Sequence, residues 1–581
     1  MLTFSASALA AGGSVSGWGY DYYGQANGTA VTSGCECAGL PGTVPGVSDA
    51  TQVSGGYYHS VALRANGSVV AWGYNGNGEL GDGTQTNSST PVTVKGISNA
   101  IAVAGSAYGS MALLANGTVV AWGYNGYGEL GQGTTTGPDE ACTCSTTPIS
   151  VPGLSNVVAI DAGYEYNLAL LADGQVMTWG LDEYGELGDG VGVESGCECV
   201  DHPVLVPGIT GAVGISADWY VASALLQDGT IRNWGYNYEG ELGNGVFATS
   251  NDCGCEGPVS PTGLAGARQT ASGGYHGLAL LSNGTVSGWG YNEEGQTGNG
   301  EFSESHTPAA VKNLSGVKAV SAGSYHSLAL LSNGTVVGWG ENEYEQVGDG
   351  TTEDRNTPIA VSGLSGVSAI EANDYNSFAI VGPSQTLNVS LTGAGSGKVG
   401  GAGILCPSDC TNTYPQGQVE VLRPEGSGFA GFSGPCSGTG PCQVNMSQDQ
   451  TVTATFGPPI GTTITKRNVN SRKKRATFSF TAPGAVTGFE CKLIRPKSKP
   501  KHGKGNKHHA KASKATAKAK FSACPSTKAY KHLRPGGYTF KVRALDILGA
   551  DANPASRKFR IKPPKKHHKP KSKAKHSQNH K

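Results

Sequence analysis

No run of apolar residues approaches the ~18 consecutive positions that a membrane-spanning helix needs, so the sequence excludes a protein held in a bilayer by such helices. Charge is scarce as well: Asp, Glu, Lys and Arg make up 15% of the 581 residues, while glycine alone occurs 90 times. That much glycine without a Gly-X-Y period excludes collagen and marks a turn-rich chain. The length exceeds one ordinary domain. A soluble, turn-rich, all-β protein is therefore expected.

Positive charge is nearly missing from most of the chain. Residues 458–581 hold 33 of the 42 Lys and Arg residues with three acids (Glu490, Asp546, Asp551), giving +30, whereas residues 1–457 carry 9 basic and 40 acidic residues, giving −31. An acidic body is thus joined to a basic tail. The partition suits binding of an anionic polymer, cell wall or nucleic acid, by the tail; it equally suits attraction between tail and body, or plain spacing and solubility. A nucleic-acid contact would be salt-sensitive and blind to sequence, because the tail has no interleaved aromatics to stack on bases.

What the chain has in abundance is repetition. Seven of the eight tryptophans stand in Trp-Gly dipeptides, at Trp18, Trp72, Trp122, Trp179, Trp234, Trp289 and Trp339, spaced by 54, 50, 57, 55, 55 and 50 residues. One unit reads AIAVAGSAYGSMALLANGTVVAWGYNGYGELGQG from Ala100, followed by a variable stretch and TPISVPGLSN. Short apolar alternations between Gly-rich turns predict strands. Asn116-Gly117, Asn283-Gly284 and Asn333-Gly334 suit two-residue type I′ hairpin turns, in which both central residues take positive φ. Each unit therefore holds about four antiparallel strands, and seven such units close naturally into a propeller. Gly76-x-Gly78-x-x-Gly81 and Gly126-x-Gly128-x-x-Gly131 match a dinucleotide fingerprint, but they recur with the period and open no helix, so they are turn glycines. The Asn-Gly-Thr/Ser triplets at Asn27, Asn66, Asn116, Asn283 and Asn333 read as hairpin turns rather than sugar acceptors.

The units resemble regulator of chromosome condensation repeats. The pattern A-G-x-x-H-S-L-A-L-x-x-[DN]-G-x-V-x-x-W-G-x-N-x-x-G-x-L-G is nearly complete in Ala322-Gly323-Ser324-Tyr325-His326-Ser327-Leu328-Ala329-Leu330 through Trp339-Gly340-Glu341-Asn342. The resemblance covers residues 1–382 and implies a seven-bladed β-propeller, in agreement with the independent count of seven units. Ser14 to Gly19 has no preceding blade and Val367 to Val381 never reaches a Trp-Gly, so the two are expected to complete one blade together. Ser5 to Leu9 and Ser377 to Val381 compete for the same strand of it. MLTFSASALAA has no basic n-region and reads as strand rather than signal peptide; either export is absent or the true start lies upstream.

Residues 383–457 (LNVSLTGAGSGKVGG, Cys406-x3-Cys410, Cys436-x5-Cys442, TVTATFG) resemble divergent internalin-type repeat modules of secreted bacterial proteins. Residues 458–562 (TFSF, Phe489-Glu490-Cys491, Cys524-Pro525, YTFKVRALD) resemble bacterial immunoglobulin-like or fibronectin-like modules, interrupted at 497–520 by a Lys/His/Ala-rich insert too hydrophilic to pack. Residues 563–581 repeat that composition as a disordered basic tail. These resemblances imply a location outside the cell or at its surface, and three disulfides, Cys406/Cys410, Cys436/Cys442 and Cys491/Cys524. The other eight cysteines form the Cys-x-Cys pairs Cys35/Cys37, Cys142/Cys144, Cys197/Cys199 and Cys253/Cys255, confined to the four longer units. A disulfide pinning each loop is expected, although ring closure across one residue is tight. Two other readings stay open: a metal would need four ligands where each loop offers two thiolates, and an exposed, strained disulfide suits redox chemistry.

No catalytic constellation stands out, and no metal or cofactor is expected. Histidine fills the A-G-x-x-H position only at His59, His276 and His326, with Gly109, Tyr166, Val221 and Asn376 elsewhere, which fits a turn role and not a catalytic ring. Glu79, Asp82, Glu186, Asp189, Glu293 and Glu294 lack the dense alternation of oxygen ligands that calcium needs. Strand alternation is more informative. If the first strand of a unit runs up, the G-x-x-H turns, the Trp-Gly loops and the Cys-x-Cys insertions share one face. The residue before the histidine position is Tyr58, Tyr108, Glu165, Tyr220, Tyr275, Tyr325 or Tyr375. The loops add Tyr20, Tyr22, Tyr23, Tyr74, Tyr124, Tyr127, Tyr184, Tyr236, Tyr238, Tyr291 and Tyr344, with Trp219 nearby. This Tyr-rich, acidic face is the expected partner-binding surface, because tyrosine offers large contact area at low entropic cost. The competing reading is that the rings pack over neighbouring blades.

The chain is thus expected to be a non-enzymatic, monomeric, extracellular bacterial protein that binds a protein partner on this face, its basic tail anchoring it to anionic wall polymer or matrix. The alternatives are a secreted enzyme inhibitor, as β-lactamase-inhibitor propellers of the same broad class imply, a guanine-nucleotide exchange factor-like regulator, as the chromatin member of the family implies, and an enzyme of unseen type.

Overall fold

Each Trp-Gly unit folds as a four-stranded antiparallel sheet. In the Trp72 blade the strands Ala50–Gly55, His59–Arg64, Val69–Gly73 and Ser88–Thr93 pair in sequence order. The blades of Trp122, Trp179, Trp234, Trp289 and Trp339 repeat that order. The remaining blade joins both ends of the repeat region: Val367–Asn373 and Asn376–Val381 are its inner strands, Ser14–Tyr20 and Cys37–Thr43 its outer ones. Innermost strands neighbour each other in cyclic order, Val367–Asn373 lying against Ala50–Gly55, so the ring is closed. The computed structural model describes residues 12–30, 36–139, 142–189, 199–247, 256–393, 395, 397–426, 428–457, 462–482, 488–495, 520–546, 549–550 and 554–563. Ser5 to Leu9 and most of MLTFSASALAA lie outside them, and it is Ser377–Val381 that pairs with Ser14–Trp18. The described residues contain strands and turns and no helix.

Packing between blades follows from the tryptophans. All seven rings are buried to 1% exposure or less, so each indole N–H must find an acceptor inside the protein. Trp72 Nε1 donates to the Gln25 carbonyl and Trp122 Nε1 to the Glu79 carbonyl, both at 2.8 Å, in the loop of the preceding blade. The bond recurs from Trp179 to Glu129, Trp234 to Glu186, Trp289 to Glu241 and Trp339 to Gln296, and Trp18 closes the ring on Gln346. The glycine after each tryptophan is required. Gly123 has φ 102°, and a Cβ there would stand 2.6 Å from the Tyr108 carbonyl oxygen.

The Asn-Gly hairpins differ from the expected type I′ turns. Leu114 and Thr118 bond across a three-residue loop, the Gly117 amide donates to the Leu114 carbonyl, and Gly117 alone takes positive φ (78°). The asparagine keeps negative φ because its Oδ1 accepts the Thr118 amide at 3.1 Å, which favours a type I turn followed by a left-handed glycine. Asn283 and Asn333 do the same to Thr285 and Thr335.

Residues 383–457 make two four-stranded sheets. One orders Thr411–Pro415, Ser384–Thr392, Gln450–Phe456 and Phe429–Ser433; the other orders Ile404–Cys406, Lys398–Gly401, Val419–Glu425 and Cys442–Asn445. Most of this module shares one compact unit with the propeller, made of residues 1–392, 398–425 and 430–455. Arg423, 6% exposed, donates to the carbonyls of Leu171, Ala172 and Ala212, and Gln443 Nε2 donates to the Ala115 carbonyl at 2.8 Å. Those acceptors flank the hairpin turns, so the module covers the face opposite the Trp-Gly loops.

The second unit spans 393–397, 426–429 and 456–581. Its body is a three-stranded sheet (Thr463–Asn470, Arg475–Thr481, Thr527–Tyr530) and a larger sheet around Gly488–Ile494 and Gly536–Asp546. Phe478, Phe480, Phe540, Phe559 and the half-cystine Cys491 form the core between them. Nearly all of the insert at 497–520 and of the tail at 563–581 lies outside the described residues.

Two substitutions test the inter-blade geometry. Gly123→Ala is expected to destabilise the propeller by about 2–4 kcal/mol through backbone clash at positive φ, and Trp122→Phe by about 1–3 kcal/mol through loss of the indole bond. Urea unfolding followed by tryptophan fluorescence measures both, since every tryptophan of the chain lies in the propeller. Unchanged midpoints would contradict the account.

Candidate interaction face

Backbone register brings two tyrosines of a blade together. The amide following Trp-Gly donates to the carbonyl before the histidine position: Tyr74 to Tyr58, Tyr124 to Tyr108, Tyr236 to Tyr220, Tyr291 to Tyr275 and Tyr20 to Tyr375, at 2.8 to 3.0 Å. The rings of the first four pairs then lie 6.2 to 6.4 Å apart. Across blades, Tyr325 stacks on Tyr275 at 5.1 Å and on Tyr375 at 6.1 Å. Tyr184 bridges Tyr220 and Tyr236, and Tyr344 bridges Tyr20 and Tyr375. Tyr22 reaches the cluster through Tyr23, which touches Tyr58 and Tyr74; Tyr127 and Tyr238 extend it from Tyr124 and Tyr236. All the tyrosines expected on this face, and Trp219, join one network.

Two residues that the sequence did not single out complete it. Tyr57 and Tyr164 stand two places before the histidine position, where other blades carry Ala107, Trp219, Gly274, Ser324 and Asp374. Trp219 lies at the centre, 5.3 Å from Tyr164, 5.5 Å from Tyr275 and 6.3 Å from both Tyr57 and Tyr325. Its Nε1 donates to Asp374 Oδ1, three blades from its own, so the indole spans the mouth of the central channel.

The face is electrostatically one-sided. Its rings are half-buried, and Tyr22 and Tyr238 are 37% and 40% exposed. Burial, then the carboxylates of Glu241 and Glu239, pushes the Tyr236 phenol up to about 12. Burial, then Glu129 and Glu165, acts the same way on Tyr124. Tyr291 donates its hydroxyl to Glu293 at 3.2 Å and to Glu294 at 3.1 Å. The phenols are therefore neutral hydrogen-bond donors set among carboxylates.

The other candidate residues have structural places. His59, His276 and His326 are buried, and each Nε2 meets a serine hydroxyl of the next blade (Ser110, Ser327, Ser377) at 2.7 to 2.8 Å. Burial holds their pKa values down, to about 4, 3 and 3. Glu79 and Glu186 turn inward, where one carboxylate oxygen accepts the amide two residues back, from Asn77 and Tyr184. Asp82 caps Thr84.

Cys142 and Cys144 are bonded, with Cα atoms 5.1 Å apart, and Thr143 between them takes φ 51°. Glu36, between Cys35 and Cys37, takes φ 55°. The carbonyls of Thr143 and Glu36 accept the amides of Asn125 and Asp21, which places these loops beside the Trp-Gly loops as expected. Cys37 and Cys199 are also disulfide-bonded, while Cys35, Cys197, Cys253 and Cys255 lie outside the described residues. Cys406–Cys410, Cys436–Cys442 and Cys491–Cys524 are bonded with Cα separations of 4.4, 5.7 and 5.8 Å.

The regulator of chromosome condensation (RCC1) repeat model matches residues 50–79, 100–129, 157–186, 267–296 and 317–346, and a second model of the same repeat matches 66–113, 116–170, 283–330 and 333–380. Residues up to about 380 are an RCC1-repeat β-propeller domain. The matched segments end before the β modules that follow. The mitochondrial RCC1 domain-containing protein RUG3 of Arabidopsis thaliana is 30% identical over 264 residues, 44% of this chain and 45% of that protein. The ultraviolet-B receptor UVR8 of the same plant is 32% identical over 161 residues, 27% of this chain and 34% of the receptor. The chain thus spans less than half the length of these curated relatives. Among solved structures, Prp20p from Saccharomyces cerevisiae superposes with a TM-score of 0.55 at 22% identity, covering 64% of this chain and 91% of that one. Human WBSCR16 gives 0.55 at 20% identity, covering 63% and 98%. At these identities the likeness is one of fold.

Burial also sets how the RCC1-repeat domain responds to pH. It raises the carboxyls of Glu129, Glu241 and Glu341 to about 8. A carboxyl raised in the folded state holds a proton that the unfolded chain has released, so its stabilisation is lost as pH rises through the folded value. The depressed histidines act in the opposite sense, but only below about pH 6.5, their unfolded value. From about pH 6.5 to 8.5 the carboxyls dominate, and the melting temperature is expected to fall across that interval. Calorimetry at constant ionic strength checks this; a flat or rising melting temperature would contradict it.

Proposed function

We propose that this chain is a non-enzymatic binding protein, active outside the cell or at its surface, whose RCC1-repeat propeller grips a protein partner with its aromatic face. The basic C-terminal segments attach the molecule to an anionic polymer such as cell wall. The observation that carries this reading is the continuity of the face: one network of half-exposed tyrosines from every blade, with Trp219 at its centre and carboxylates around it. Packing over neighbouring blades accounts for the buried half of each ring. It leaves the solvent-facing half without a use, and a contiguous aromatic patch of this kind marks an interaction site.

The solved relatives support protein binding as a use of the fold. The yeast propeller Prp20p is described by its binding to Gsp1p and histones, and another structure shows yeast RCC1 bound to Kap60. An exported location is supported by the cysteines, since every described one is in a disulfide, as an oxidising compartment leaves them. The surface-attachment reading rests on the 33 basic residues of positions 458–581.

The test is affinity capture with the full chain from cell-surface and medium fractions of the source organism. The control bait carries Tyr58, Tyr108, Tyr220, Tyr275, Tyr325 and Tyr375 changed to Ala, with folding checked by circular dichroism. A protein held by the first bait and lost from the second is expected. For that partner, Tyr275→Ala should weaken binding roughly 30-fold and the peripheral Tyr238→Ala less than about fivefold. Identical retention by both baits, or by neither, would refute the proposal.

A further inference from the structure

Beneath Trp219 and above the module, the central channel holds a cavity of about 370 Å³. Four carboxyl side chains line it: Asp161, Asp218, Glu371 and Asp374, from three different blades. Two are hydrogen-bonded to the protein. Asp161 accepts the Ala162 and Ala217 amides at 3.0 and 3.1 Å, and Asp374 accepts from the Trp219 indole and the Ser324 hydroxyl. The other two keep free oxygens. Asp218 accepts the Trp219 amide with Oδ1, but its buried Oδ2 has no partner; among the described residues no hydrogen bond reaches the Glu371 carboxyl, which feels the charge of Asp161 and bears on Asp218. The buried Asn373 Oδ1 beside them is also unpaired.

The protein's own cations do not answer these groups. Arg268 and Lys318 start their strands at the module end of the lining. Arg268 is paired with Asp409 at 3.2 Å and donates to the carbonyls of Val317 and Lys318, and the charge bearing on Lys318 is Arg268. An unpaired buried carboxyl needs either a proton or a cation from elsewhere. No group of three or more His, Cys, Asp or Glu among the described residues is arranged to hold a metal ion. The roof is instead aromatic, Trp219 with Tyr164 at 5.3 Å, and aromatic faces attract organic cations. The volume suits a small molecule.

We propose that this cavity binds a small organic cation, an alkylammonium or guanidinium compound, whose N–H groups are accepted by Glu371 and Asp218 beneath the Trp219 indole. Trp219 and Tyr164 belong to both sites, but Glu371 and Asp218 lie inside the channel, so substituting them tests the cavity apart from the tyrosine face.

Isothermal titration of the full chain with putrescine and with agmatine, an ammonium and a guanidinium compound, in 150 mM salt to screen the acidic exterior, tests it; 1,4-butanediol is the neutral control of putrescine's length. One cation is expected to bind saturably at one site while the diol does not. Glu371→Gln and, separately, Asp218→Asn should weaken binding at least tenfold. Affinity should also rise about tenfold between pH 6 and 8, as Asp161, Asp218, Glu371 and Asp374 lose protons that burial holds on them. The other titratable groups facing the cavity, Lys318, Arg268, Tyr164 and Tyr414, do not oppose this: burial lowers Lys318, so any loss of its charge acts in the same direction, and burial raises both phenols, which stay neutral. Absence of saturable binding by either cation, equal binding of the diol, or affinities unaltered by pH and by both substitutions would overturn the proposal. If Asp218→Asn fails to fold, Glu371→Gln and the comparison with the diol decide it.

Discussion

One hydrogen bond, made seven times, positions the blades: the indole N–H of each Trp-Gly tryptophan donates to a main-chain carbonyl in the loop of the preceding blade. Apolar contact between sheets is non-directional and would leave their angle loosely set. A buried N–H admits no such latitude, because leaving it unpaired costs about 1–3 kcal/mol. The acceptor carbonyl is held still by its own side chain. In the blades of Trp72, Trp122, Trp179 and Trp234 that side chain is Glu79, Glu129, Glu186 and Glu241; in those of Trp18, Trp289 and Trp339 it is Gln25, Gln296 and Gln346, and each accepts the amide two residues before it. Glutamate and glutamine interchange there because the task is to offer one oxygen. Burial raises these glutamates, Glu79 to about 7 and Glu129 and Glu241 to about 8, which favours the neutral acid in the place of an amide.

The aromatic face is a consequence of that frame. The tight glycine after each tryptophan turns the chain so that the next amide meets the carbonyl before the histidine position, and two side chains are set side by side at the loop tips. This backbone bond does not depend on which side chains it presents. Leu181 donates to Glu165 and Glu341 donates to Tyr325 in the same register that joins Tyr74 to Tyr58. The frame is therefore fixed while the tips are free to carry recognition chemistry, which is the division of labour expected of loops on a rigid scaffold.

What the sequence revealed was whatever repeats. The Trp-Gly period, the blade shared between Ser14–Tyr20 and Val367–Val381, and the Tyr positions all recur at fixed offsets, so alternation alone puts them on the right strands and one face. Tyr57 and Tyr164 were hidden because their position holds Ala, Trp, Gly, Ser or Asp in the other blades, and a residue seen twice in seven units carries no period. Trp219 was visible only as the tryptophan outside the pattern; its reach to Asp374 depends on the diameter of a closed ring, which no local pattern encodes. The Asn-Gly turns were misjudged because the asparagine side chain, by bonding two residues ahead, competes with the conformation a type I′ turn requires. Seating of the module on the propeller depends on Arg423 finding carbonyls more than two hundred residues away, and an isolated arginine in a strand offers no hint of that.

Closing the channel at both ends changes what the acidic composition means. An open channel would hydrate Asp161, Asp218 and Glu371 and leave them ionised; under the Trp219 roof and over the module their charged forms lose that solvation. Glu420 of the module is likewise raised by burial to about 8, as are Glu129 and Glu241 in the blade loops. The formal −31 of residues 1–457 counts all of these as anions. At neutral pH many of them carry protons, so the negative charge of the body is smaller than that formal count. The lysines and arginines of residues 458–581 carry a formal +30 against that reduced negative charge. Each carboxyl of the body that burial protonates weakens the attraction it would exert on those basic segments, so the proposed attachment through the tail competes less with the body than the formal −31 and +30 imply.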